Sequence, residues 1–128
     1  MLEACCRNEG TRLLFSCSGG SDVGELADRA CRALAERGVG RMYCLSGIGG
    51  DVAAIVQTTW AADSLVAIDG CSVGCAAATL RRQGFEAFQR VIVTELGFPK
   101  GKTPVTPEVV GRIVQAVEAQ AADEGERA

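Results

Sequence analysis

The chain of 128 residues has the length of one ordinary domain, and 48% of its residues are hydrophobic, so it can bury a substantial core. Its formal net charge of −3, without blocks of like charge, argues against general attraction to nucleic acid or anionic membranes. The start, Met1-Leu2-Glu3-Ala4, lacks the features of a signal peptide, and no apolar stretch approaches the roughly 20 residues that span a bilayer. We therefore expect one domain over residues 1–128 that stays in the cytosol and binds neither nucleic acid nor membranes.

The first strongly patterned segment predicts a buried strand followed by a helix. Arg12 to Cys17 is a short apolar run, and residues 18–21 form a turn-rich sequence of serine and glycine. A helix is predicted from about Asp22 to Arg37, with Asp22 as its N-cap and Gly38 as its C-terminal stop. Its apolar stripe consists of Val23, Leu26, Ala27, Ala30 and Leu34.

The rest of the chain repeats this alternation. The further predicted elements are a strand over Arg41 to Ser46, a tight turn over Gly47 to Gly50, a helix over Asp51 to Ala62, a strand over Leu65 to Asp69, a helix near Val73 to Gln83, a strand over Arg90 to Thr94, and a last helix with Thr106 as its cap and Pro107 in its first turn. In the second helix, the residues predicted to face the sheet are Val52, Ile55, Val56 and Thr59. The pattern predicts a small three-layer α/β sandwich, Rossmann-like or flavodoxin-like, with about four parallel strands in the order 2-1-3-4 by analogy.

Seven cysteines and the absence of histidine limit the chemistry open to the chain. An odd number of cysteines in a reducing compartment favours metal ligation or thiol chemistry over structural disulfides. Right-handed crossovers bring the strand-to-helix turns of a parallel sheet to its carboxyl edge. Four cysteines lie at or beside these predicted turns and are the main candidate ligands for a soft metal ion such as zinc: Cys17, Cys44, Cys71 and Cys75.

The remaining cysteines have other interpretations. Cys31 lies on the apolar stripe of the first helix, so we expect a core residue rather than a ligand. Cys5 and Cys6 precede the first strand near its opposite end. If the segment from Arg7 to Thr11 folds back, Cys5 and Cys6 join the metal site; otherwise they form a separate thiol pair. Cys44 is either a ligand or a residue that its strand buries.

Two further features of the predicted edge have simple alternatives. Glycine-rich turns after the first two strands favour an anion at a helix N-terminus, but neither matches a phosphate-binding fingerprint. Tight turns that admit the thiols explain these glycines about equally well. Glu95, after the fourth predicted strand, is either an additional ligand or proton acceptor, or a solvated loop residue, and the loop interpretation is favoured.

Four collinear motifs make the chain resemble a known family. They are Cys17 to Gly24 (CSGGSDVG), Tyr43 to Gly50 (YCLSGIGG), Asp69 to Cys71 (DGC) and Thr94 to Gly97 (TELG). Over roughly residues 5 to 118, the chain resembles the DGC-domain proteins of bacteria and archaea, which are described as zinc-binding because of their cysteines. The resemblance implies zinc binding at Cys17, Cys44, Cys71 and Cys75, likens Cys5 and Cys6 to an N-terminal cysteine cluster of the family, and supplies no reaction.

Three functions are compatible with the sequence. The first is a cysteine-based zinc-binding protein that senses, buffers or delivers the ion and folds without it. The second is a thiol-based redox enzyme, or a carrier of sulfur or selenium, that uses low-pKa cysteines at helix N-termini. The third is a small regulatory interaction domain. Because the sequence names neither a substrate nor a protein partner, whether the protein is an enzyme stays open.

Overall fold

Strands alternate with helices along the chain in the computed structural model, which describes the backbone of residues 10–127 and the side chains of residues 10–121. In chain order the elements are β1 (Arg12–Ser16), α1 (Asp22–Glu36), β2 (Arg41–Met42), α2 (Leu45–Gly49), α3 (Ala53–Ala61), β3 (Ser64–Asp69), α4 (Cys75–Arg82), β4 (Gln89–Ile92), a 3₁₀ helix (Val93–Leu96) and α5 (Pro107–Arg127). None of the helices in this part of the chain is long and apolar enough to cross a membrane.

The four strands form one parallel sheet in the order β2-β1-β3-β4, which confirms the predicted α/β class and strand order. The central pair, β1 and β3, is in register from Arg12 opposite Ser64 to Ser16 opposite Ile68. Because all four strands run in the same direction, their carboxyl ends lie at one edge of the sheet. That edge is where the turns into the helices begin.

Apolar side chains cover both faces of the sheet, because successive residues of a strand point to opposite sides. One face packs against α1 and α5, and its buried residues include Leu14, Val66, Ile68, Val91, Leu26, Leu34, Ile113 and Val117. The other face packs against α2 and α4, and its buried residues include Leu13, Phe15, Ile48, Leu65, Ala67, Leu80 and Phe85. The predicted apolar stripe of α1 is confirmed, since all its members are fully buried.

The cap of α1 differs from the prediction. Ser21, rather than Asp22, is the N-cap, and its hydroxyl accepts a hydrogen bond from the Gly24 amide at 3.1 Å. Asp22 is the first helical residue, so its carboxylate is free to bind elsewhere. The predicted stop at Gly38 is confirmed by its left-handed φ of 78°. At the other end of the chain, the Thr106 hydroxyl caps α5 as predicted by accepting from the Val109 amide at 3.2 Å.

The segment after β2 was predicted wrongly. The strand ends at Met42, and the glycines predicted as a tight turn belong largely to the short helix α2. Gly47 is required there because a Cβ at this position would lie 2.8 Å from the Ile55 side chain. The next helix begins at Ala53, so Val52 is its N-cap and is 49% exposed instead of facing the sheet.

Other boundaries shift by a few residues. In α3, Thr59 is buried and Ile55 and Val56 pack against the core, as predicted. α4 begins at Cys75, after Gly74 adopts a left-handed conformation. β4 ends at Ile92, where the chain turns into the 3₁₀ helix.

An exposed tryptophan lies near the opposite, amino edge of the sheet. Trp60 stands near the end of α3, shortly before β3 begins at Ser64, and 58% of it is exposed. Its ring centroid is 4.1 Å from that of the buried Phe85, at an interplanar angle of 33°. This stacking fixes the indole against the core while leaving one side in solvent.

Candidate thiol site at the carboxyl edge of the sheet

The four cysteines predicted as ligands lie beyond the carboxyl ends of three strands. Cys17 follows β1 directly and Cys71 follows β3 after one glycine, and both are half-buried. Cys75 is the first residue of α4, and Cys44 is the N-cap of α2, two residues beyond β2. Both of these thiols are exposed to solvent. The predicted edge therefore carries thiols in two environments, one partly covered and one open.

Two glycine motifs pack directly against each other at the start of α1. A Cβ on Gly70 would lie 2.7 Å from the carbonyl carbon of Val23, and a Cβ on Gly24 would lie 2.6 Å from the carbonyl oxygen of Gly19. Only residues without a side chain permit this approach of backbones. The turn after β1 and the turn after β3 are thus held in contact through the N-terminus of α1.

Hydrogen bonds to the neighbouring strand and turn hold Cys17 in place. Its amide donates to the Ile68 carbonyl at 3.2 Å, continuing the pairing of β1 with β3. Its Sγ accepts a hydrogen bond from the Gly70 amide at 3.4 Å. The following residue, Ser18, has a φ of 56°, a left-handed conformation that turns the chain sharply away from the strand. The sulfur of Cys17 is therefore held beside the Asp69–Cys71 turn.

Cys71 has a cationic neighbour from a distant part of the chain. The Lys100 Nζ lies 3.7 Å from the Cys71 Sγ, although 29 residues separate the two. Lys100 stands in the segment between the 3₁₀ helix and α5, and it is exposed. An ammonium group at this distance stabilises negative charge on the sulfur and attracts other anions.

A single carboxylate anchors the segment that carries Lys100. Asp22 accepts hydrogen bonds from the amides of Gly101 at 2.8 Å and Thr103 at 3.0 Å. It also accepts from the Val23 amide at 2.8 Å. The bonds from Gly101 and Thr103 are the main reason why the pKa of Asp22 is lowered from its ordinary value. The position of Lys100 beside Cys71 thus depends on a carboxylate at the start of α1.

Cys44 is activated by groups of its own helix. Its Sγ lies 3.3 Å from the Ser46 Oγ. The hydrogen bond from the Ser46 hydroxyl, followed by one from the Gly47 amide, lowers the pKa of the Cys44 thiol below its ordinary value. Because Cys44 is also exposed, its thiolate is available to reagents in solution.

Asp69 has a structural role next to Cys75. The carboxylate is buried and accepts hydrogen bonds from the amides of Ala76 at 2.7 Å and Ala77 at 3.2 Å. It therefore satisfies the N-terminal amides of α4. Both oxygens of Asp69 are engaged in this cap, which leaves Cys75 as the exposed group at the helix start.

Cys31 belongs to the core, as predicted. It has no exposed surface and packs among the apolar residues between α1 and the sheet. Burial, followed by the negative charge of Asp28, raises the pKa of its thiol to about 12. The thiol is therefore neutral and shielded from reagents in the folded protein.

The described part of the chain does not assemble a closed metal site. Within residues 10–121, no three cysteine, aspartate or glutamate side chains are grouped so that they could hold one ion together. A structural zinc site needs four ligands at about 2.0–2.3 Å. Cys5 and Cys6 lie outside the described residues. Zinc binding by Cys17, Cys44, Cys71 and Cys75 accordingly stays a prediction, and the described donors do not by themselves fit a four-thiolate site.

The contacts by which several residues shape the site could not be predicted from the sequence. Lys100 and Asp22 act through contacts between residues far apart in the chain, and Ser46 looked like the end of a strand. Glu95 is exposed in the 3₁₀ helix, in line with the predicted solvated residue. At the first glycine-rich turn, Gly24 packs closely against the Gly19 carbonyl. The α1 amides of Val23 and Gly24 are already bound by side chains of the chain itself.

The fold and the site define a class: a parallel α/β domain that presents thiols along the carboxyl edge of its sheet. A family model described as "DGC domain" matches residues 13–117, and the chain belongs to the DGC domain family. The chain is also similar to the anaerobic and virulence modulator AnvM of Pseudomonas aeruginosa, with 31% identity over 88 residues that cover 69% of this chain and 67% of the relative. No solved structure matches the chain significantly.

Proposed function

We propose that this protein is a thiol-based regulatory domain, in which cysteines at the carboxyl edge of the sheet react reversibly with oxidants or disulfides. The observation that carries the proposal is the contact of the half-buried Cys71 sulfur with the Lys100 ammonium group, at 3.7 Å. Reactive cysteines are typically partly exposed and lie in electropositive surroundings. Cys71 meets both conditions, whereas the buried Cys31 meets neither.

Cys44 supports the same proposal from a second position on the edge. Its exposure and its lowered pKa favour a thiolate at lower pH than in an ordinary cysteine. Neither Cys44 nor Cys71 is part of a Cys-x-x-Cys sequence, so a thioredoxin-like exchange between neighbouring thiols is not the proposed chemistry. Modification of single thiols by small molecules fits the arrangement better.

The relative adds an indication of the biological setting. AnvM is named as an anaerobic and virulence modulator. Thiol oxidation and its reversal are chemical changes that follow oxygen supply. We therefore infer that the thiols of this domain report on redox conditions and that the domain passes the change to a partner protein.

The second candidate function is binding of zinc or another thiophilic metal ion. The observation that favours it is the placement of thiols after β1, β2 and β3 on one edge, in a chain without histidine. Such a site would use Cys17, Cys44, Cys71 and Cys75, with Cys5 and Cys6 as further ligands. It requires a rearrangement of the described residues, since no three of their side chains form a metal-binding group.

One experiment separates the two functions. Protein purified anaerobically without an affinity tag is analysed for metal, and each cysteine is then alkylated with iodoacetamide and followed by peptide mass spectrometry. We expect metal-free protein in which Cys44 and Cys71 react quickly, at rates that a zinc chelator does not change. Cys31 serves as the internal control, because it should react only in denaturant.

The opposite result would establish the second candidate. About one zinc ion per chain, together with slow alkylation of Cys17, Cys44, Cys71 and Cys75 that speeds up after chelation, would mean that the thiols are metal ligands. Metal-free protein in which Cys44 and Cys71 react no faster than an unstructured cysteine peptide would contradict the proposed thiol function.

A further inference from the structure

The segment that carries Lys100 forms one wall of an open cleft beside Cys71. The cleft has a volume of about 660 Å³. Its lining residues are Ser21, Asp22, Lys100, Gly101, Lys102, Thr103 and Pro104. Lys100 connects the cleft to the thiol, because its Nζ is 3.7 Å from the Cys71 Sγ. Cys71 does not line the cleft itself, and its half-buried sulfur adjoins the cleft through Lys100.

The cleft attracts anions. Lys100 and Lys102 are both exposed, and neither takes part in an ion pair within the described residues, where the paired cations are all arginines. The opposing charge is Asp22, whose oxygens accept hydrogen bonds from the amides of Val23, Gly101 and Thr103. That carboxylate is thus held toward the backbone, and the two ammonium groups are available to a ligand.

We propose, resting on the thiol function above, that Cys71 is a site of reversible S-thiolation by anionic low-molecular-weight disulfides. Lys100 and Lys102 bind the carboxylates of such a disulfide. A peptide disulfide such as oxidised glutathione has this chemistry. The ligand's carboxylates match two ammonium groups on one loop, and the reacting sulfur lies next to the first of them.

The reaction is thiol–disulfide exchange and needs no other oxidant. The Cys71 thiolate attacks one sulfur of the disulfide, a new sulfur–sulfur bond forms to Cys71, and the original sulfur–sulfur bond breaks. The other half leaves as a thiolate and takes a proton from solvent. Lys100 stabilises the negative charge of the attacking sulfur and the carboxylates of the bound half. An excess of the free small thiol reverses the modification.

Cys44 provides a comparison within the same molecule. It is an exposed thiol whose hydrogen-bond partners, Ser46 and Gly47, carry no charge. Its reactivity should therefore depend little on the charge of the disulfide. At Cys71, in contrast, the lysines should favour an anionic disulfide over a cationic one. For each cysteine, the rate with the anionic disulfide is divided by the rate with the cationic one. Comparing this ratio between Cys71 and Cys44 cancels differences in exposure and in intrinsic thiol reactivity.

The test uses the fully reduced chain and three disulfides: oxidised glutathione, which is anionic, cystamine, which is cationic, and 2-hydroxyethyl disulfide, which is neutral. The rate of mixed-disulfide formation at each cysteine is measured by peptide mass spectrometry at low and high salt. We expect Cys71, relative to Cys44, to prefer oxidised glutathione over cystamine by about fivefold or more, the effect of one charge pair at about 4 Å in water. The preference should weaken at high salt.

Variants identify the source of the preference. The double variant Lys100→Gln/Lys102→Gln should abolish this preference. Because Lys100 also stabilises the attacking Cys71 sulfur, the variant should lower the rate with the neutral disulfide as well. As a control, Arg82→Gln removes one positive charge from the exposed end of α4 and should leave the preference unchanged. Circular dichroism checks that the variants are folded, and Cys71→Ser identifies the modified residue.

The possible failures are distinct. If Cys71 reacts with all three disulfides without preference, the proposed anionic ligand is wrong. If the lysine variant retains the preference, the assignment of ligand binding to Lys100 and Lys102 is wrong. In both cases the thiol function stands. If Cys71 reacts with none of the three disulfides and is also inert toward iodoacetamide, both proposals are wrong.

Discussion

The amide nitrogen of Gly24 lies so close to Gly70 that a Cβ on Gly70 would stand 2.7 Å from it. This contact joins the first turn of α1 to the Asp-Gly-Cys turn after β3. The Gly70 amide also donates to the Cys17 sulfur at 3.4 Å. The same turn therefore contacts both the start of α1 and the half-buried Cys17 thiol.

Substitution Gly70→Ala should destabilise the fold by about 1–3 kcal/mol, because overpacking against rigid backbone forces a shift. Urea denaturation followed by circular dichroism measures the free energy of unfolding. Gly111→Ala is the matched control, since Gly111 lies in α5 and a Cβ there meets nothing within 4 Å. Alanine at that position should instead stabilise the helix by up to about 1 kcal/mol. Equal effects of the two substitutions would contradict the packing described here.

Substitution Asp22→Asn should lower the melting temperature at pH 7 and loosen the segment that carries Lys100. The pKa of Asp22 is lowered in the folded state, so its stabilising effect is present above the ordinary value of 3.8 and is lost as the pH falls through the lower, folded value. The melting temperatures of wild type and variant should therefore converge at acid pH. Glu36→Gln, an exposed substitution at the end of α1, controls for the loss of charge. A difference that persists unchanged at acid pH would speak against the role of Asp22 as an anchor.

The alkylation rate of Cys44 should rise with pH around a midpoint below 9.0, the ordinary value for its thiol, because the Ser46 hydroxyl and the Gly47 amide stabilise the thiolate. Ser46→Ala removes the larger of these contributions and should move the midpoint upward. The measurement is the rate of iodoacetamide labelling at Cys44 over a series of pH values. Ser72→Ala, at another exposed serine of the same edge, should leave the midpoint in place. A midpoint that does not respond to Ser46→Ala would refute the assignment.

Cys31 should resist alkylation in the native protein even at high pH, because burial raises the pKa of its thiol to about 12 and excludes the reagent. Its labelling in mild denaturant should follow the unfolded fraction. Cys31→Ser should cost about 1–3 kcal/mol, since a hydroxyl would replace a thiol among apolar neighbours. Rapid labelling of Cys31 under native conditions would show that the core opens there.

Substitution Asp69→Ala should destabilise the protein by about 1–3 kcal/mol, because it leaves the buried amides of Ala76 and Ala77 without their acceptor. Asp69→Asn should recover part of the loss, since its amide oxygen can still accept one hydrogen bond. Denaturant unfolding of the three proteins gives the comparison. If alanine and asparagine were equally tolerated, the carboxylate would not be the cap of α4.

The sequence predicted those parts of the fold that local patterns determine. Periodicity predicted the apolar stripe of α1, the core position of Cys31 and the parallel sheet. Glycine or proline residues at the helix ends indicated several of the helix boundaries. The strand order 2-1-3-4 came from analogy with other sheets of this class, and the structure has that order. The segment from Tyr43 to Gly50 misled the prediction, because a glycine-rich stretch suggests a turn. Gly47 is instead a helical residue, and its lack of a side chain leaves room for the side chain of Ile55.

The chemical neighbourhood of the thiols was less accessible from the sequence. That Cys17, Cys71 and Cys75 lie together at one edge follows from the alternation of strands and helices. The pairing of Cys71 with Lys100 and the binding of Gly101 by Asp22 join residues 29 and 79 positions apart, and no local pattern encodes either contact. Ser46 was hidden by the wrong strand assignment. The residues that tune the thiols therefore become visible only in three dimensions.

The chain's single tryptophan is placed favourably for experiments on these thiols. Trp60 stacks on Phe85 near the amino edge of the sheet, whereas the four thiols lie beyond the carboxyl ends of the strands. Modification of a cysteine should therefore leave the intrinsic fluorescence nearly constant as long as the core is intact. A change in emission during thiol labelling would signal unfolding, so each labelling experiment includes its own optical measure of folding.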